Sequence, residues 1–151
     1  MRINQILVPV DFSPHAHAAV LAAADLARRY QASLTLLHVW GPVAFLIPEG
    51  FVLYTPTQLT KMMSEFEALL ARAKADAENA GASQVETVQR EGVVAAEISA
   101  LARDGNYDLI VIGSHGRTGL RHALLGSVAE KVLRESPCPV LTIKLAANPP
   151  A

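Results

Sequence analysis

Apolar positions along the chain come in two rhythms. Near-continuous runs of five to eight residues alternate with longer stretches in which apolar residues recur every three or four positions. Residues 3–10 (Ile-Asn-Gln-Ile-Leu-Val-Pro-Val), 33–39 (Ser-Leu-Thr-Leu-Leu-His-Val), 108–112 (Asp-Leu-Ile-Val-Ile) and 140–144 (Val-Leu-Thr-Ile-Lys) belong to the first kind. Such runs suit strands covered on both faces. Residues 84–90 predict a further strand, and because Val85 and Val88 do not alternate cleanly it is expected at a half-exposed edge.

The second rhythm predicts helices. Ser13 and Pro14 are an N-cap and a first helical residue, opening an alanine-rich helix to about Tyr30. Thr55-Pro56-Thr57-Gln58 has the spacing of a capping box. The helix it opens carries the stripe Leu59, Met62, Met63, Phe66, Leu69, Leu70 and Ala73, a core face rather than a cofactor box, and Gly81 suits its C-terminal stop. Val94, Ile98, Leu101 and Ala102 mark a short helix ending at Gly105. Leu125, Val128, Ala129, Val132 and Leu133 mark the last one. Strands alternating with helices predict an open five-stranded parallel α/β sheet with helices on both faces, whose ligands bind beyond the carboxyl ends of the strands. Residues 40–54, from Trp40 to Tyr54, are expected as a long apolar connection that packs on its own domain, with a nucleotide cover or a partner contact as alternatives.

Composition narrows the function. The 151 residues (16.1 kDa) carry 13 Lys+Arg against 14 Asp+Glu, giving a net charge of −1 without the basic cluster that a nucleic-acid binder needs. A hydrophobic content of 51% and a mean hydropathy of +0.27 exclude disorder as the main state. No apolar stretch reaches the ~20 residues of a membrane span, and the first residues lack the pattern of a signal peptide. The single Cys138, between two prolines, is expected to pack rather than react, so a reducing cytoplasm is the expected location. Residues 1–145 are expected as one domain and 146–151 as a frayed tail.

The candidate chemistry follows the strand ending at Ile112: Gly113-Ser114-His115-Gly116-Arg117-Thr118-Gly119, then Gly126-Ser127-Val128-Ala129-Glu130. Gly113 and Gly116 are expected to take positive φ and form an anion nest, with Gly126 and Ser127 at a helix N-terminus suited to phosphate. The spacing leaves a second reading open, in which Ser127 and Glu130 are a plain capping box and Gly113 and Gly119 are turn residues. Neither G-x-x-x-x-G-K-S/T nor G-x-G-x-x-G after the first strand is present. Asp11 reads as a ribose or metal ligand, or as a carboxylate drawn to a helix N-terminus. Arg117 suits a phosphate, whereas His115 reads as a loop histidine without a catalytic role. His15 and His17 diverge around a helix and cannot chelate one ion, and His38 reads as a satisfied core or rim histidine.

The pattern G-x2-G-x9-G-S/T at Gly113, Gly116, Gly126 and Ser127 resembles the ATP-binding signature of the universal stress protein family. Ile6-Leu7-Val8-Pro9-Val10-Asp11-Phe12-Ser13, Asp108-Leu109-Ile110-Val111-Ile112-Gly113 and Pro137-Cys138-Pro139-Val140-Leu141 support it, so the resemblance spans nearly the whole chain. It implies a Rossmann-like sheet in the order 3-2-1-4-5 and a homodimer through Val140 to Ile143. It places Pro9, Val10, Asp11, Val39, Ile112 and Gly113 beside the adenosine. Gly116, Arg117, Gly126, Ser127 and Val128 would hold the phosphates, with any Mg²⁺ held mainly by phosphate oxygens. The implied function is an ATP-binding regulatory module of the stress response rather than a dedicated enzyme. Slow ATP hydrolysis, adenylation and a nucleotide-independent interaction role for residues 40–54 stay open as alternatives.

Overall fold

A computed structural model of the chain describes residues 1–41, 44–116 and 125–145. The apolar runs become strands of one parallel sheet: β1 (Gln5–Pro9), β2 (Ser33–Trp40), β5 (Val85–Glu91), β6 (Leu109–Gly113) and β7 (Val140–Ile143). Their spatial order is β5-β2-β1-β6-β7. Counted within this sheet alone, that is 3-2-1-4-5, the order the family resemblance implies. β5 lies at one edge with Glu86 and Thr87 exposed, as its uneven pattern predicts. The order reverses between β1 and β6, and the ends of these two strands open the crevice described below.

Side-chain alternation within the buried strands divides the interior in two. Ile6 and Val8 of β1 turn, with Leu34 and Leu36 of β2, toward α1 (Pro14–Tyr30) and α2 (Pro56–Asn79). Leu7, Leu37 and Ile110 turn the other way, toward α3 (Val94–Asp104) and α4 (Ser127–Glu135). α1 meets the sheet through Ala19, Val20, Ala23 and Ala24, all at most 1% exposed, so its alanines bring the helix close to the strands.

The helix starts test the local reading. Ser13 caps α1 by accepting the Ala16 N–H at 3.2 Å, and Thr55 with Gln58 forms the expected capping box. Gly81, at φ +106, follows the end of α2 in the conformation a C-terminal glycine favours. At α4 the two readings of the sequence separate: the N-cap is Gly126, Ser127 is already helical, and Gly126 makes no side-chain cap, so the alternative capping box at Ser127 and Glu130 does not form. Glu130 instead pairs with Arg134 at 2.6 Å.

Residues 40–54 are not a plain connection. β2 runs through Trp40, and β3 (Ala44–Ile47) pairs antiparallel with β4 (Gly50–Leu53) as a hairpin. Phe51 and Leu53 are 77% and 69% exposed, so these two side chains do not pack on their own domain as expected. Arg117, Gly119 and the tail 146–151 lie outside the described residues.

Candidate functional site

A cavity of about 240 Å³ opens at the carboxyl ends of β1, β2 and β6. Every residue nominated from the sequence that falls within the described chain lines it. Pro9, Val10 and Asp11 come from the end of β1, Val39 from β2, and Ile112, Gly113 and Gly116 from the end of β6. Gly126, Ser127 and Val128 come from the start of α4.

The floor is apolar because both strands deliver their inward residues there. Leu37 lies two residues before Val39, on the same face of β2, and Ile112 faces them from β6. Val94 and Ile98, one helical turn apart on α3, complete this end. The sequence pattern puts Val94 and Ile98 on an apolar helix face and gives no sign that they line the site. Only the face itself is legible, and in this topology it covers the end of β2.

The glycines serve by lacking a side chain, not by taking positive φ. Among the described residues only Gly50, Gly81 and Gly92 are positive-φ glycines, so the expectation for Gly113 and Gly116 is corrected. A Cβ on Gly113 would stand 2.8 Å from the His15 carbonyl carbon, so this glycine lets α1 close onto β6. A Cβ on Gly116 would stand 2.8 Å from Asp11 Oδ2, and one on Gly126 3.3 Å from the Ser114 oxygen. The Gly126 N–H donates to that oxygen at 2.6 Å, which draws the start of α4 against the turn after β6. The Ser114 N–H donates to Ile143, tying the same turn to β7.

At one end of the cavity the start of α4 presents backbone donors. The first intrahelical bond of α4 is donated by Glu130 to Gly126, which leaves the preceding N–H groups without an intrahelical acceptor and without a side-chain cap. Asp11 is the carboxylate in the described lining, and its Oδ1 accepts the Ser13 N–H at 3.0 Å. His115 also lines the cavity; its Nδ1 lies 3.1 Å from Ser114 Oγ, and its ring faces His15 at 5.2 Å. No group of three or more potential metal ligands occurs among the described residues.

The remaining titratable candidates fall outside this chemistry. His38 is buried with Nδ1 2.8 Å from the Val10 carbonyl oxygen, a structural tie behind the cavity, as expected. His17 pairs with Asp76 at 3.5 Å. Burial pushes the Cys138 thiol above its ordinary pKa despite a hydrogen bond with Ser136, which agrees with an unreactive packing role. No helix among the described residues is long and apolar enough to cross a membrane.

Comparison with known proteins agrees with this architecture. Residues 2–144 match the model of the universal stress protein family. A universal stress protein of Bacillus subtilis is 36% identical over 148 residues, covering 93% of this chain and 99% of its own. The structure of a universal stress protein from Lactobacillus plantarum superposes with a TM-score of 0.74 at 29% identity, covering 95% of this chain and 99% of that one. A universal stress protein solved in complex with cAMP reaches 0.73 at 25% identity, covering 95% and 98%. With a family match across nearly its whole length and a sheet of the matching order, the chain belongs to the universal stress protein family.

Proposed function

We propose that this chain is a regulatory module that binds ATP in the cavity at the ends of β1, β2 and β6. The observation that carries this reading is the uncapped N-terminus of α4 set against an apolar slot in one continuous cavity. Val10, Val39 and Ile112 would enclose the adenine, with Asp11 beside the ribose. The N–H groups at Ser127 and Val128 would take the phosphates, with Gly126 leaving room for their approach, joined by Gly116 and Arg117. Mg²⁺ would ride on the phosphate oxygens with its waters. The relative solved with cAMP supports an adenine nucleotide as the ligand class.

The nucleotide would act on a homodimer in the cytoplasm. β7 is one edge of the sheet, with Leu141 39% exposed, and strand edges of this kind can pair across a two-fold axis. Because Ser114 bonds both Gly126 and Ile143, the phosphate end of the cavity and this edge share one turn. A dedicated hydrolase is disfavoured, since phosphoryl transfer needs a base or water-orienting group and the described cavity offers Asp11 and His115 with no metal cluster.

The test is to heat-denature purified protein, identify any released nucleotide, and titrate stripped protein with ATP by calorimetry. ATP in the released fraction, or saturable binding near micromolar Kd, about −8 kcal/mol, is the expected result. Absence of both refutes the reading. Ser127→Asp supplies the control, because its carboxylate favours the helix N-terminus while repelling phosphate. It should fold normally and bind ATP more weakly.

A further inference from the structure

A second, smaller cavity of about 170 Å³ lies between α1 and α2, back to back with the first. Phe12, Val20, Leu69 and Ala73 form its apolar wall. The gap exists because small residues meet where two helices cross: Ala16 of α1 and Ala73 of α2 both border it. Its rim is polar, set by Ser13, His17, Arg72 and Asp76. Arg72 and Asp76 stand at i and i+4 on α2, the spacing at which such residues normally pair. Asp76 lies 3.5 Å from His17 Nδ1 of α1, and Arg72 makes no ion pair among the described residues. The mouth of an apolar pocket thus carries an exposed guanidinium that no carboxylate pairs among the described residues.

The geometry points to a binding site for a small amphipathic monocarboxylate, its apolar body between Phe12 and Ala73 and its carboxylate on Arg72. A guanidinium binds a carboxylate through paired charge-assisted hydrogen bonds, so the charged head fixes orientation while the pocket selects a compact apolar body. A volume of 170 Å³ admits a metabolite-sized acid and not a long acyl chain.

The site adjoins the first cavity through a shared wall. Val10 and Ala16 line both, and the turn between them places Asp11 on one side and Phe12 on the other. Phe12 holds φ +64, a costly conformation for a bulky side chain, and packs against His38, which in turn contacts the Val10 carbonyl. A ligand pressing on Phe12 therefore acts on the segment that presents Asp11. This regulatory half of the inference rests on the nucleotide reading above, whereas the carboxylate site stands without it.

The experiment is an NMR titration of the isotope-labelled full chain with benzoate, with benzamide as the neutral isostere. Saturable shifts centred on Phe12, Ser13 and Ala73 are expected with benzoate, and markedly weaker ones with benzamide. Arg72→Gln should weaken benzoate about tenfold, in line with loss of a charge-assisted pair. Ala73→Leu, which fills the gap, should abolish the shifts at an unchanged melting temperature. No saturable shift, or equal affinity for benzoate in wild type and both variants, overturns the site. ATP calorimetry with and without saturating benzoate then reads the coupling, where a change in Kd of about fivefold is expected. Equal values overturn the coupling and leave the site standing. ATP that binds under neither condition refutes the nucleotide reading, while the benzoate titration still decides the second site.

Discussion

Two helices begin at the same cavity and solve the same problem differently. Every α-helix starts with N–H groups that have no intrahelical acceptor. At α1 the chain answers for itself: Ser13 accepts the Ala16 N–H, Pro14 removes one donor, and Asp11 takes the Ser13 N–H. At α4 Gly126 brings no side chain, and Ser127 and Val128 are exposed at the rim. A closed terminus beside an open one teaches where the fold spends stability and where it leaves donors for a ligand. α1 anchors the sheet, with Ala19, Val20 and Ala23 buried, and α4 presents its first turn to the cavity.

The largest effect should come from blocking the open terminus. Gly126→Leu adds a side chain where a Cβ already stands 3.3 Å from backbone atoms, so calorimetry should show ATP affinity falling about a hundredfold, near 2.7 kcal/mol. Micromolar binding retained by this variant would sink the phosphate assignment. Closing the terminus with charge is milder: Ser127→Asp should lose about tenfold, or 1.4 kcal/mol, with the melting temperature held or raised. Opening the closed terminus gives the converse result. Ser13→Ala should cost about 1 kcal/mol of stability in urea denaturation and change ATP affinity little, since its hydroxyl serves Ala16. The smallest effect belongs to the hairpin strand β4, none of whose residues lines the cavity. Phe51→Ser, on the exposed face of β4, should leave ATP Kd within twofold; a larger change would bring the hairpin into the site.

Why one terminus was legible in the sequence and the other was not follows from the range of their interactions. Ser13-Pro14 and Thr55 with Gln58 act within three residues, so composition at fixed offsets was enough to place α1 and α2. The start of α4 looked equally local, because Ser127 and Glu130 have capping-box spacing. It is set instead by the hydrogen bond from Gly126 to Ser114, twelve positions away, which makes the glycine the cap and moves Ser127 into the helix. The hairpin was missed for a related reason. Proline at 42 and 48 broke the apolar run of residues 40–54, while β3 and β4 are held by pairing with each other and not by either strand's own pattern.

By itself the sequence determined the five strands of the main sheet, the alternation with helices that makes it parallel, the caps of α1 and α2, and the order of the motif blocks that marks the family. These depend on periodicity and on contacts a few residues long. Tertiary structure alone decided which faces meet: that Val94 and Ile98 complete the slot over Leu37 and Val39, that the site glycines act by the space they leave, and that Asp76 of α2 stands beside His17 of α1. Each of these joins residues far apart in the chain through the packing of one element on another, and a one-dimensional pattern carries no record of that distance.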